Sequence, residues 1–144
     1  MTTATYTQGT RSAAILTLGA LASGAYIESA VQDFGVNMPY DQVLEVECTP
    51  STTTTGNKQL VVYARRSLDN TNWQGPTSAI SSTNEVQLSF LGSVQVISAN
   101  LCRNFYSLDQ LPKARYNKFI AKNDMGVALT NGFMYLAPIT ANNA

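Results

Sequence analysis

The segment Gln42–Thr49, QVLEVECT, has the most regular alternation of apolar and polar residues in the chain. Successive side chains of an extended backbone point to opposite sides, so Glu45 and Glu47 share one side. The other side carries three apolar residues: Leu44, Val46 and Cys48. A period of two with charge on one face predicts a β-strand with one buried side and one wet side.

Similar extended patterns recur along the chain and are separated by turn-rich segments. They are AYIESAVQDF (25–34), QLVVYARRS (59–67), EVQLSFLG (85–92), SVQVISA (93–99), RNFYSL (103–108), RYNKFIAKN (115–123) and FMYLAPIT (133–140). In EVQLSFLG the pattern predicts that Val86, Leu88 and Phe90 point inward. No segment sustains a period of 3.6 with capping residues over three turns. We therefore expect an all-β protein: an antiparallel β-sandwich or a jelly-roll-like barrel of about eight strands.

The N-terminal region admits two interpretations. Residues 11–25, RSAAILTLGALASGA, contain one positive charge, an apolar run and an A-x-A arrangement, which are ingredients of a secretory signal. However, ten uncharged residues precede Arg11, and Thr17 and Gly19 dilute the apolar run. We favour a polar N-terminal arm over residues 1–11, disordered until it docks on a partner, and a first strand over residues 12–18. Residues 12–144 then form a single sandwich domain.

The charge content is low and balanced. The 144 residues include nine basic and nine acidic side chains, and only 12% are charged. A protein that binds nucleic acid through its phosphates needs a basic excess or cluster, so we expect no nucleic-acid partner. No apolar run reaches the roughly 20 residues of a membrane span, so we expect no membrane partner. A weakly charged surface suits a protein packed against many neighbours.

The two cysteines, Cys48 and Cys102, each lie in an apolar segment. Isolated cysteines in such positions are typically buried free thiols. A disulfide framework in a small secreted domain normally uses more cysteines, so we favour free thiols over a bridge.

The residues needed for common catalytic sites are mostly missing. The chain contains no histidine, which removes Ser-His-Asp and Cys-His pairs and the commonest metal ligand. It also contains no glycine-rich phosphate loop. Glu45 and Glu47 could in principle form a glycosidase pair, but a solvated strand face is the better interpretation. We therefore expect a protein that is not an enzyme and uses no cofactor or metal.

The segment Asp69–Trp73, DNTNW, resembles a calcium loop only superficially. Thr71 occupies a position where Asp or Asn is needed, so the segment fails the EF-hand pattern. Asp and Asn side chains readily bond the backbone two residues on, which favours a turn. Trp73 is then expected to anchor the end of the loop, with a sugar-stacking platform as the alternative.

Two longer segments resemble known proteins. YARRSLDNTNW (63–73) is similar to a strand followed by S-x-D-G-T-x-W, and RYNKFIAKNDMGVALTNGFMYLAPI (115–139) is similar to a closing hairpin. Both features recur in β-sandwich proteins of tailed-bacteriophage virions. Asn70 stands where that pattern usually has Gly, and Met125 where it usually has Thr. The resemblance covers about half of the chain and contains no catalytic residue.

This resemblance implies a virion structural protein, most like a head decoration (cement) protein. Such a protein would be made in the host cytoplasm, bind the major capsid protein on the capsid surface, and assemble as a homotrimer. We expect Tyr6 and Arg11 of the arm, and Tyr40 and Trp73 of the loops, at its interfaces. The alternatives are a tail or fibre module that recognises a receptor or carbohydrate, and a head–tail connector or tail component.

Overall fold

A computed structural model describes residues 3–143, which form a β-sandwich. Its strands are β1 (Ala4–Gln8), β2 (Leu16–Thr17), β3 (Tyr26–Glu28), β4 (Gln32–Asp33), β5 (Asp41–Pro50), β6 (Gln59–Ser67), β7 (Ser89–Gln95), β8 (Cys102–Ser107), β9 (Tyr116–Asp124) and β10 (Leu129–Asn143). The first sheet has the order β1-β10-β5-β8, and β2 also pairs with β10. The second sheet has the order β3-β9-β6-β7, and β4 also pairs with β9. All pairings are antiparallel.

The predicted antiparallel sandwich is therefore confirmed, with ten strands where about eight were expected. Three differences account for the number. The segments EVQLSFLG and SVQVISA, expected as two strands, contribute to a single strand, β7. The segment AYIESAVQDF divides into β3 and β4, which pair with different parts of β9. In addition, residues 4–8 of the expected arm form β1.

The central core lies between the two sheets and follows the alternation of β5. Leu44, Val46 and Cys48 are fully buried, as their spacing predicted. Other fully buried residues from both sheets and their connections are Leu18, Leu60, Val62, Val96, Phe119, Met125 and Met134. Both cysteines are free thiols, as expected. The buried amide of Asn123 donates to the carbonyl oxygens of Leu21 and Val127.

The N-terminal region differs from the expectation. Of the strand predicted over residues 12–18, only Leu16–Thr17 is paired as β2, because the backbone on either side bonds β10 irregularly. Leu16 and Leu18 nevertheless pack in the core. The expectation of a disordered arm is wrong for residues 4–8, which pair with Ile139–Asn143 of β10. Residues 1 and 2 of the arm lie outside the described part of the chain.

The segment predicted as a strand from residue 85 begins instead with a one-turn 3₁₀ helix, Glu85–Gln87. The Asn84 side chain accepts a hydrogen bond from the Ser81 amide and donates to the Ala79 carbonyl. Such local bonds compete with a sheet ladder, so β7 starts only at Ser89. Val86 and Phe90 are exposed rather than inward, at 83% and 60%.

Candidate interaction surface

Strand β1 and the last part of β10 form a two-stranded ribbon, which we define as residues 4–8 and 139–143. β10 pairs with β5 only as far as Ile139, so beyond that residue it pairs with β1 alone. All five side chains of β1 are exposed, and so are those of residues 140–142. Neither strand of the ribbon carries a charged residue. The ribbon therefore presents uncharged side chains and unpaired strand edges to solvent.

Tyr6 of the ribbon meets Tyr40, which lies just before β5. Their ring centroids are 5.1 Å apart and the rings are tilted by 48°. Both side chains stay accessible, with 58% of Tyr6 and 45% of Tyr40 exposed. Offset aromatic pairs of this kind add to area burial and present a large, rigid contact surface. Two residues predicted separately from the sequence are thus brought together by the fold.

A cation borders the tyrosine pair. The Lys113 ammonium lies 5.4 Å from the centroid of the Tyr40 ring and donates a hydrogen bond to the Tyr40 carbonyl oxygen. Asp109 lies 3.8 Å from the same ammonium. The negative charge of Asp109, followed by the nearby Tyr6 ring hydroxyl, raises the pKa of Tyr40. Tyr40 therefore stays a neutral hydrogen-bond donor at physiological pH.

A groove of about 610 Å³ lies beside this pair. One side consists of the loop before β5, and the other consists of the C-terminal part of β10. Its lining includes Met38, Pro39, Tyr40, Pro138, Thr140 and Ala141. The lining also includes the polar residues Asn37, Gln42 and Asn142, and none of its side chains is charged. The groove therefore suits contact with an uncharged protein surface. The same loop also exposes Val36, at 78%.

Arg11 lies elsewhere, on the outer face of the first sheet. Its guanidinium is 3.1 Å from a carboxylate oxygen of Glu45 and 4.1 Å from the centroid of the Tyr135 ring. Arg103 contacts the same glutamate at 2.9 Å and also Glu47 at 2.6 Å. The two glutamates, considered above as a glycosidase pair, therefore both lie in ion pairs.

Trp73 lies at the second sheet, where it bridges to Ser67 at the end of β6. Its ring is half-buried, and the Lys118 ammonium lies 4.6 Å from the ring centroid. Lys118 is also 3.5 Å from Glu28, which holds it in place. These contacts support the prediction that Trp73 anchors a loop. They also place a cation over the ring.

The turn before Trp73 forms as its sequence predicted. Asp69 accepts hydrogen bonds from the backbone amides of Thr71 and Asn72, at 2.9 and 2.8 Å. These two hydrogen bonds are the largest of several contributions that hold the pKa of Asp69 well below its usual range. Asn70 adopts a φ of 61°, which explains why Gly is usual at this position of the pattern.

A second apolar cluster, which was not predicted from the sequence, lies on the outer face of the second sheet. The loop 68–88 folds over this face and buries Val61, Tyr63, Leu88 and Ile120. Glu85 fastens the loop by accepting hydrogen bonds from the Tyr26 hydroxyl and, at 3.1 Å, from the Lys122 ammonium. The only sequence signal is that both alternating faces of β6 are apolar over residues 60–63.

Comparisons with known proteins do not assign the chain to a family. No protein-family model matches the chain, and a search of curated proteins found no significant match. Within residues 3–143, no three His, Cys, Asp or Glu side chains converge in an arrangement able to hold a metal ion. No helix in this part of the chain is long and apolar enough to cross a membrane.

Proposed function

We propose that the protein is a structural, non-enzymatic subunit of a tailed-bacteriophage virion. In this proposal it decorates the head as a homotrimer and stabilises the shell by bridging major capsid subunits. The turn motifs at residues 63–73 and 115–139 and the sandwich fold support this class of protein. The observation that carries the proposal is the accessible Tyr6–Tyr40 pair on an uncharged ribbon beside an uncharged groove.

The ribbon is the part of the fold that would gain most from a partner. Two strands without a third are marginally stable in water, because little of their surface is buried. Docking would cover both tyrosines and supply partners to the unpaired strand edges. Large aromatic side chains of this kind supply a disproportionate part of the binding energy at protein interfaces.

A trimer would multiply the effect of each contact. A standard interface buries about 800 Å² per partner, and three linked copies bind with an avidity well above that of one. A neutral surface also allows close packing on a crowded shell without strong repulsion between copies.

The direct test is binding of the purified protein to capsids that lack it, measured by co-sedimentation. We expect the double variant Tyr6→Ser/Tyr40→Ser to bind about tenfold more weakly or worse. Phe90→Ser is the matched control, because Phe90 is an aromatic with similar exposure, 60%, on the second sheet. Equal binding by the double variant and by Phe90→Ser would contradict the proposed surface.

Deletion of residues 2–10 tests the ribbon as a whole. Because no residue of β1 belongs to either buried cluster, the domain should remain folded by circular dichroism. Capsid binding should fall at least as far as in the double variant. If the truncated protein decorates capsids as well as the full chain does, the ribbon is not the docking element.

The native mass of the assembly separates the proposal from its alternatives. A trimer supports a decoration protein, whereas a larger closed ring would indicate a connector or tail component. The proposed function would be overturned if the protein stayed monomeric and did not bind capsids.

A further inference from the structure

The fold places the two cysteines of the chain directly opposite each other on neighbouring strands. The register of β5 and β8 pairs Cys48 with Cys102. Opposed residues of an antiparallel pair project to the same face, with their Cα atoms about 4.5–5.5 Å apart. A disulfide needs a Cα separation of about 4.4–6.8 Å. The backbone spacing therefore fits a bridge.

The two thiols also share surroundings but differ in access. Cys48 is fully buried in the central core, and Cys102 packs against the same core while remaining partly exposed. Cys102 is the first residue of β8, an edge strand, and follows the exposed residues Asn100 and Leu101. Its backbone can therefore adjust without moving the centre of the sheet.

We propose that Cys48 and Cys102 form an intramolecular cross-strand disulfide when the protein meets a low-molecular-weight disulfide such as oxidised glutathione. This inference is independent of the proposed function. The bridge fastens the edge strand β8 to β5 and leaves the fold otherwise unchanged.

The reaction proceeds by two thiol–disulfide exchanges. The Cys102 thiol loses its proton to solvent, and its thiolate attacks one sulfur of oxidised glutathione and expels one glutathione thiolate. Cys48 then loses its proton and attacks the Cys102 sulfur of the mixed disulfide, which expels the second glutathione thiolate. The two expelled thiolates take up the two protons. The protein loses two hydrogens, and one oxidised glutathione becomes two reduced molecules.

The second exchange is expected to be the slower one. Burial, with smaller effects from Cys102 and Glu47, raises the pKa of Cys48 to about 12. Little of Cys48 is therefore thiolate at neutral pH, and the mixed disulfide on Cys102 should accumulate before it closes.

The test is oxidation of the folded full chain by excess oxidised glutathione at mildly alkaline pH. Intact mass and peptide mapping should show loss of two hydrogens, no alkylatable thiol, and a Cys48–Cys102 linkage within one chain. The linkage should disappear on reduction. Its formation should raise Tm by roughly 10 °C.

Two variants keep the result interpretable. Cys48→Ala removes the second attacking thiol, so Cys102 should retain a stable glutathione adduct. Cys102→Ser replaces only the partly exposed thiol and should yield neither an adduct nor a bridge, because Cys48 is inaccessible. The proposal is overturned if the folded wild type keeps two alkylatable thiols, stops at the glutathione adduct, or links only separate chains.

Discussion

The outer faces of the two sheets are stabilised in opposite ways. On the first sheet, the outward side chains of β5 include Glu45 and Glu47, which pair with arginines near solvent. On the second sheet, the outward side chains include Val61 and Ile120, which lie beneath the loop 68–88. One face is solvated and the other is covered.

The difference shows what decides whether a sandwich face needs a cover. Charged side chains can remain at the surface with their partners, whereas a patch of apolar side chains gains free energy when water is excluded. The long loop is therefore part of the stability of the second sheet. Mutations on the two faces should therefore lower the free energy of unfolding by different amounts.

The largest expected difference in the free energy of unfolding comes from the loss of buried side-chain packing. Ile120→Ala removes a fully buried side chain from the covered face and should lower the free energy of unfolding by about 3 kcal/mol. Phe105→Ala is the control on the solvated face, where the ring is 59% exposed, and should cost under about 0.5 kcal/mol. Urea denaturation measures both. Similar losses would show that the loop does not bury the second face in solution.

The next prediction compares two glutamates with similar exposure, 19% for Glu85 and 13% for Glu47. Glu85→Gln should cost about 1–2 kcal/mol, because it weakens the loop attachment and leaves the poorly exposed Lys122 ammonium without its partner. Glu47→Gln should cost less, because its partner Arg103 is 42% exposed and returns easily to water. The reverse order in urea denaturation would show that Glu85 does not fasten the loop.

How far the sequence predicts these faces depends on the range of the interactions. The alternation of β5 identified its buried side, and the turn at Asp69 followed from local bonding. Pairing between residues 4–8 and 139–143 involves distant, uncharged segments with no apolar pattern, so it could not be foreseen. The Tyr6–Tyr40 contact depends on that pairing.

The strand prediction was wrong for residues 85–87, and the inward orientation was wrong for Val86 and Phe90, for a related reason. A short alternating pattern is satisfied equally by a strand or by one turn that buries only Leu88. The turn forms here because of the hydrogen bonds of Asn84 and the contacts of Glu85 with Tyr26 and Lys122. A local sequence pattern cannot predict the contact between Glu85 and Lys122, which are 37 residues apart.

A pH titration distinguishes the covered face further. Burial, followed by the nearby charge of Glu85, raises the pKa of Tyr63 from 10.0 to about 12. The folded state thus binds this proton more tightly, and the associated stability is present below pH 10 and lost as pH rises through 12. Tyr63→Phe should show a smaller alkaline loss than the wild type, measured by urea midpoints at several pH values. If the urea midpoints of Tyr63→Phe and the wild type fell equally as pH rises, the raised pKa of Tyr63 would be contradicted.

The smallest effect is expected on the solvated face and depends on salt. Arg103→Gln removes the cation that bridges Glu45 and Glu47, but the arginine itself is 42% exposed and Glu45 keeps Arg11 as a partner, so the cost should be small. Because exposed charges are screened over about 3 Å at about 1 M salt, the difference from the wild type should disappear there. Glu85→Gln should keep most of its effect under the same conditions, since its ion pair is less exposed. A salt-independent loss in Arg103→Gln would mean that this arginine acts through packing, and that the first face is also covered.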